Sequence, residues 1–130
     1  MRKSLDKVAG DWLTPNLIEV TADSWTKEQY FPEGYLARWF RVRREEVSIY
    51  CFRRTGVHFL KRAYNKLVEK LELDTILLID GGTDSLMCGN EPNLGTPNED
   101  VASIAAVYEL EIPRLFLACL GFGVDRFDGI

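Results

Sequence analysis

Hydrophobic and polar positions alternate in distinct ways along the chain, and the changes of period mark its elements. Leu17-Ile18-Glu19-Val20-Thr21 alternates apolar and polar residues after the breaker pair Thr14-Pro15, which predicts a strand near a sheet edge. Tyr35, Leu36, Trp39 and Phe40 recur at helical spacing, predicting a short helix over Gly34 to Phe40 whose aromatic face packs on a sheet. Val47-Ser48-Ile49-Tyr50-Cys51-Phe52 is a β-branched and aromatic run of strand length, ended by Arg53-Arg54-Thr55-Gly56. From Val57, apolar residues return at Leu60, Ala63, Tyr64, Leu67, Val68 and Leu71, with Lys61, Arg62, Lys66 and Lys70 elsewhere on the turn. A one-sided stripe with a 3.6-residue period is an amphipathic helix covering a sheet.

Thr75-Ile76-Leu77-Leu78-Ile79 is nearly uniformly apolar, as a central strand covered on both faces would be. Thr96-Pro97-Asn98-Glu99 reads as a capping box, with threonine at the N-cap, proline at the first helical position and glutamate reaching back. Val101, Ile104, Ala105 and Tyr108 continue that helix, Pro113 stops it, and Leu115 to Leu120 form another apolar strand. Strands that alternate with helices imply a parallel sheet. The chain therefore reads as one α/β domain over residues 1–130, part of a doubly wound, Rossmann-like fold with flanking helices.

The composition agrees with one globular domain: 130 residues, 46% hydrophobic and 28% charged. No apolar run reaches membrane-spanning length and the first residues carry no apolar signal segment, so neither a membrane nor secretion is expected, and the cytoplasm is the default location. Three cysteines without CxxC spacing and a single histidine, His58, encode neither a disulfide framework nor a zinc site. Cys51 and Cys119 read as small apolar strand residues, and a thiolate at Cys88 would be disfavoured by its acidic neighbours. His58 falls in the first turn of its helix with no catalytic partner set by spacing.

Charge is unevenly distributed. Residues 1–73 hold 14 Lys and Arg against 10 Asp and Glu, net +4, whereas residues 74–130 hold 2 against 10, net −8. An acidic surface repels nucleic acid, so no nucleic-acid partner is expected, and Arg41, Arg43 and Arg44 beside Glu45 and Glu46 read as a solvated connection.

The acidic half also carries the glycine loops. Asp80-Gly81-Gly82-Thr83-Asp84-Ser85 follows a strand directly, and long loops mixing glycines with carboxylates are where functional sites concentrate. In a parallel sheet the strand carboxyl ends share one edge, and ligands bind there. Three segments are expected at that edge: Arg53 to Gly56, Asp80 to Glu91, and Gly121-Phe122-Gly123-Val124-Asp125. Candidate ligand contacts are Asp80, Gly81, Gly82, Thr83, Asp84, Arg53, Gly121, Gly123 and Asp125. The glycines would admit the ligand, through close backbone approach or positive φ, and Arg53 or Arg54 would meet phosphate. Asp80, Asp84 and Glu91 are candidate oxygen ligands for Mg²⁺, the candidate cofactor, or acceptors for ribose or sugar hydroxyls. Asp80 also suits bonding to the N–H groups of its own turn, and Asp84 suits an ion pair with Arg53 or Arg54. Glu99 reads as a cap and Asp100 as a first-turn carboxylate favoured by the helix dipole. Neither Gly121 and Gly123 nor the DGGTDS loop completes a dinucleotide or Walker A motif.

The string LLIDGGTDSLMCGNEPNLGTPNED, followed by CLGFGVDRFDG, resembles the DUF1152 family of uncharacterised proteins, a likeness that runs through most of the chain. The resemblance carries no established reaction with it. It implies that this chain is a central portion of a longer domain, because family members run roughly twice its length. Three functional readings follow: a protein that binds a nucleotide or phosphorylated small metabolite, with or without turnover; a non-catalytic ligand-sensing module; and a truncated chain completed by missing segments or another chain. The third carries an expectation that the chain alone self-associates.

Overall fold

The computed structural model describes residues 5–27, 30–90 and 97–121. The chain is mixed α/β, and its residues divide into two compact units, 1–54 and 55–130.

In the first unit, β1 (Asp11–Thr14), β2 (Leu17–Val20) and β3 (Ile49–Phe52) form an antiparallel sheet in the order β1-β2-β3. The turn at Pro15-Asn16 joins β1 to β2, and the Asn16 N–H donates to Thr14 Oγ1 at 3.1 Å. Proline supplies the first turn dihedral and the hydroxyl satisfies the backbone donor. β2 is the middle strand, not the edge strand that its alternation predicts. Ile18↔Cys51 and Val20↔Ile49 share one face of the ladder, while Leu17↔Phe52 and Glu19↔Tyr50 share the other. Leu17, Ile18 and Val20 are fully buried. Glu19 keeps its place in a covered strand because Ser48 Oγ at 2.6 Å and the Tyr50 hydroxyl at 3.2 Å donate to its Oε1.

Val8, Ile18, Val20 and Phe31 form the core of this unit, with Leu5, Ile49 and Cys51 against it. Helix α1 (Pro32–Val42) packs on β2 and β3, but with Gly34 and Ala37 inward. The expected aromatic packing face is therefore corrected: Tyr35, Leu36 and Trp39 are 59%, 44% and 50% exposed. Small residues let the helix backbone approach closely, and the buried Phe31 ring fills the space over Gly34. The outward aromatics stack with cations instead, Arg38 over Tyr35 at 4.9 Å and Arg43 over Trp39 at 4.4 Å.

In the second unit, α2 (Val57–Leu71) buries Leu60, Ala63 and Leu67, the face that its stripe predicts. It ends at Glu72, which takes the left-handed conformation at φ 49°. It packs on α3 (Asn98–Tyr108). A Lys61–Glu109 ion pair at 2.7 Å closes the outer side of that contact. α3 buries Ala106 and Val107, followed by Leu110, rather than Val101 and Tyr108, which are exposed. This helix is apolar around most of its circumference, so periodicity alone does not select its inward face. Its N-cap residue is Pro97; Thr96, the expected cap, lies outside the described residues.

β4 (Thr75–Asp80) and β5 (Arg114–Cys119) run parallel in unbroken register from Thr75↔Arg114 to Asp80↔Cys119. β4, α3 and β5 thus make one strand–helix–strand unit with parallel strands. β3, expected in the same sheet, pairs antiparallel with β2 in the other one. Among the described residues the double cover expected for β4 is not found, with Leu77 53% and Ile79 64% exposed.

The packing of Gly34 gives a prediction that opposes helix propensity. Gly34→Ala gains about 1 kcal/mol of intrinsic helix preference. Its Cβ, however, would overlap the Phe31 ring. Overpacking typically costs about 1–3 kcal/mol. Chemical denaturation should therefore show a net loss of stability. Gly81→Ala, whose Cβ meets open space, should stay within about 0.5 kcal/mol of the parent. A Gly34→Ala midpoint above the parent's would refute this packing.

Candidate functional site

The parallel ladder ends with Asp80 beside Cys119, and the chain after Asp80 folds back over both strand ends. Asp80 organises this segment. Its Oδ1 accepts from the Gly82 N–H at 2.8 Å, and its Oδ2 accepts from the Ser85 N–H at 3.0 Å and the Ser85 hydroxyl at 2.6 Å. An ionised carboxylate only accepts, so the Ser85 proton points to Asp80, and Ser85 Oγ is left to accept from the Cys119 thiol, 3.5 Å away. Ser85 thereby ties the loop to both strands.

These donors hold the Asp80 carboxyl below its ordinary value of 3.8, the Ser85 hydroxyl contributing most, with partial desolvation opposing. Asp84 to Leu86 form a single 3₁₀ turn that packs on α3. Thr83 precedes it, 2% exposed, and its carbonyl accepts from Leu86 N–H at 3.0 Å. The packing of this turn on α3 brings Asp100 into the field of Asp80 and Asp84. The Asp100 carboxyl is pushed above 3.8, first by burial and then by those two negative neighbours. Three carboxylates on one side of the strand ends make the locality strongly electronegative.

Gly121 follows β5 at φ +76°, a left-handed conformation that favours glycine, and the Leu120 N–H donates to the Asp80 carbonyl at 2.8 Å. Gly81 has no such requirement, and a Cβ placed on it would meet open space. The structure thus assembles Asp80, Gly81, Gly82, Thr83, Asp84, Ser85 and Gly121 in one unit and adds Asp100 and Cys119, which the sequence reads as a first-turn carboxylate and a small apolar strand residue. Ser85 was legible as a hydroxyl five residues after a strand-end aspartate. Asp100 was masked by its simpler role in the first turn of a helix.

Arg53 belongs to the first unit, where it ends β3. Its N–H donates to the Asn16 carbonyl at 2.9 Å, and its guanidinium lies 4.8 Å from the centre of the Trp12 ring. The segment from Arg53 to Gly56 therefore does not follow a strand of the parallel pair. Glu91, Gly123 and Asp125 lie outside the described residues. Among the described residues no group of three His, Cys, Asp or Glu side chains is arranged to hold a metal ion. Burial pushes the Cys51 thiol up to about 12, keeping it protonated at neutral pH.

A strand–helix–strand unit with an aspartate-anchored loop over its carboxyl ends defines an α/β protein. The chain belongs to the family described as "Protein of unknown function (DUF1152)", which matches residues 4–126. Neither a curated protein nor a solved structure matches it. Among the described residues no helix is long and apolar enough to cross a membrane.

The anchoring role of Asp80 is testable through pH. A folded-state carboxyl held below its unfolded value contributes stability that is present above the unfolded value and is lost as pH falls through the folded one. Ser85→Ala should lower stability by no more than about 1 kcal/mol at neutral pH, since the group is partly solvated. It should also raise the Asp80 titration midpoint read by NMR. The stability gap between variant and parent should close as Asp80 protonates. An unshifted Asp80 titration would remove Ser85 as its principal donor.

Proposed function

We propose that this protein binds a nucleotide or phosphorylated small metabolite at the carboxyl ends of β4 and β5, with Mg²⁺ accompanying the phosphate, on what is part of a doubly wound, Rossmann-like sheet. The observation that carries this reading is the opposed perturbation of two carboxyls beside those strand ends, Asp80 lowered and Asp100 raised. Pairs of titratable groups pushed apart by their surroundings concentrate at functional sites. Their negative field would repel a bare phosphate, and a divalent cation removes that obstacle. Mg²⁺ commonly takes one or two carboxylates and completes its shell with phosphate oxygens and water, so a closed protein cage is not required. Asp84 and Asp100 are suitable donors in kind. Gly81 and Gly121 leave the backbone accessible, and Thr83 and Ser85 fix the loop.

A non-catalytic sensing module uses the same residues, and the bonding of Asp80 favours it over an enzyme that uses Asp80 as base. Both oxygens of that carboxylate already accept from the loop, and its lowered pKa makes it a weak base at neutral pH.

Isothermal titration with ADP and with ribose 5-phosphate, each with and without Mg²⁺, supplies a nucleotide arm and a sugar-phosphate arm. Saturable binding in at least one arm is expected, strengthened by Mg²⁺ and weakened at least about tenfold by Asp84→Asn, a difference of about 1.4 kcal/mol. Circular dichroism should leave that variant indistinguishable from the parent. Product formation during the titration would favour the enzyme, and binding without product would favour the sensing module. Silence in both arms, joined by native mass spectra of gently purified protein that show no retained mass, would sink the reading.

A further inference from the structure

The register of the parallel pair also defines a surface. Residues paired across a parallel ladder share a face, so Thr75, Leu77 and Ile79 lie with Arg114, Phe116 and Ala118. Leu77, Ile79 and Phe116 are 53%, 64% and 54% exposed, and Ala118 is exposed between them. The alternate face is less open: Ile76, Leu78, Asp80 and Cys119 are partly exposed there, and Leu115 and Leu117 are 37% and 42% exposed. Parallel sheets are ordinarily covered on both faces, because neither face offers the polar alternation that water tolerates.

We propose that the Leu77, Ile79, Phe116 and Ala118 face is a two-fold interface with a second copy of this chain. Two features single out a second copy. The first is charge: Arg114 is the one charged side chain that the register places on this face, and it is paired with Asp74. A surface without net charge can meet itself across a two-fold axis without opposing like charges. The outward face of α1 is different, because Arg38 and Arg43 stack on its aromatics and a copy would bring cation against cation. The second is area. From the exposures of its large side chains the patch presents on the order of 400 Å² of apolar surface per copy, the size of the largest patch on a typical monomer, which is often a functional one. With a polar rim, two such patches reach the lower end of the roughly 1,200–2,000 Å² buried in specific complexes. The two sheets would pack face to face, as in a β-sandwich. On this face the second copy takes the place that helices hold in a doubly wound sheet, and the interface is a reversible dimer contact of modest affinity that does not depend on which ligand is bound.

Sedimentation velocity of the whole chain over a range of concentrations tests this. A reversible monomer–dimer equilibrium is expected. Phe116→Glu and Leu77→Glu, each placing a charge on an exposed position, should raise the dissociation constant at least about tenfold. Trp39→Ser, on the outward face of α1, should leave it unchanged. Where circular dichroism shows a glutamate variant misfolded, Leu77→Thr and Ile79→Thr keep strand preference while removing apolar area, and should weaken the dimer by a smaller factor. A parent that stays monomeric throughout, or that only aggregates irreversibly, overturns the proposal. So does a dimer that survives the folded Phe116, Leu77 and Ile79 variants, or one dispersed by Trp39→Ser instead.

Discussion

The hydrogen-bonded ladder between β4 and β5 is the constraint from which the second unit's chemistry and its surface both descend. Parallel pairing in unbroken register makes the two strands end together and makes paired residues share a face. The first consequence sets Asp80 beside Cys119, close enough for one hydroxyl, that of Ser85, to reach both. The second gathers Leu77, Ile79, Phe116 and Ala118 on one side. A slip of one residue in either strand would invert that strand's faces, separating Asp80 from Cys119 and breaking up the row of Leu77, Ile79, Phe116 and Ala118.

The loop beyond the ladder combines two electrostatic effects of opposite sign. Asp80 is stabilised as a carboxylate because directed donors reach it at short range. Asp100 has no comparable compensation for its burial, and the charges on Asp80 and Asp84 act on it in the same direction. Short hydrogen bonds dominate where their geometry is good, and longer-range repulsion dominates where it is not. The loop is thus held over the strand ends by the same residue that makes its surroundings unfavourable for further negative charge. A cation or a hydroxyl donor is what such a locality accommodates best, and that preference shapes the ligand class proposed.

Much of the fold could be read from the residues, and its failures have physical causes. The α2 stripe was legible because only one side of that helix is apolar. The α3 face was not, since Val101, Ile104, Ala105, Ala106 and Val107 leave little polar contrast. β1 has no alternating pattern, and only the Thr14-Pro15-Asn16 turn announces the hairpin that it forms with β2. Alternation in β2 suggested an edge because Glu19 looked solvent-facing, whereas Ser48 and Tyr50 satisfy it inside the sheet. On α1 the aromatics drew attention and the small residues did the packing. The parallel placement of β3 failed for a different reason. Strand–helix–strand order does not exclude a first strand that pairs with a preceding hairpin. At the candidate site, the self-bonding of Asp80 was legible from an aspartate followed by two glycines. The approach of Asp100 was not, because it depends on how α3 meets the 3₁₀ turn.

The exposed β4–β5 face has an energetic meaning that follows from the small size of the units. The first unit is organised around a cluster of four buried side chains, and small cores supply little surplus stability. Hydrophobic burial gains about 25 cal/mol per Å², so leaving on the order of 400 Å² of apolar face in water forgoes as much as roughly 10 kcal/mol per copy. Association does not recover that whole sum, because immobilising two molecules costs an estimated 4–15 kcal/mol and the rim must also be desolvated. What remains suffices for a modest and reversible contact. The same arithmetic explains why one charge should matter so much on this face. A glutamate at Phe116 removes the largest aromatic contribution and adds a carboxylate that two-fold symmetry repeats on the opposing copy, so the gain falls as the cost of closing the interface rises.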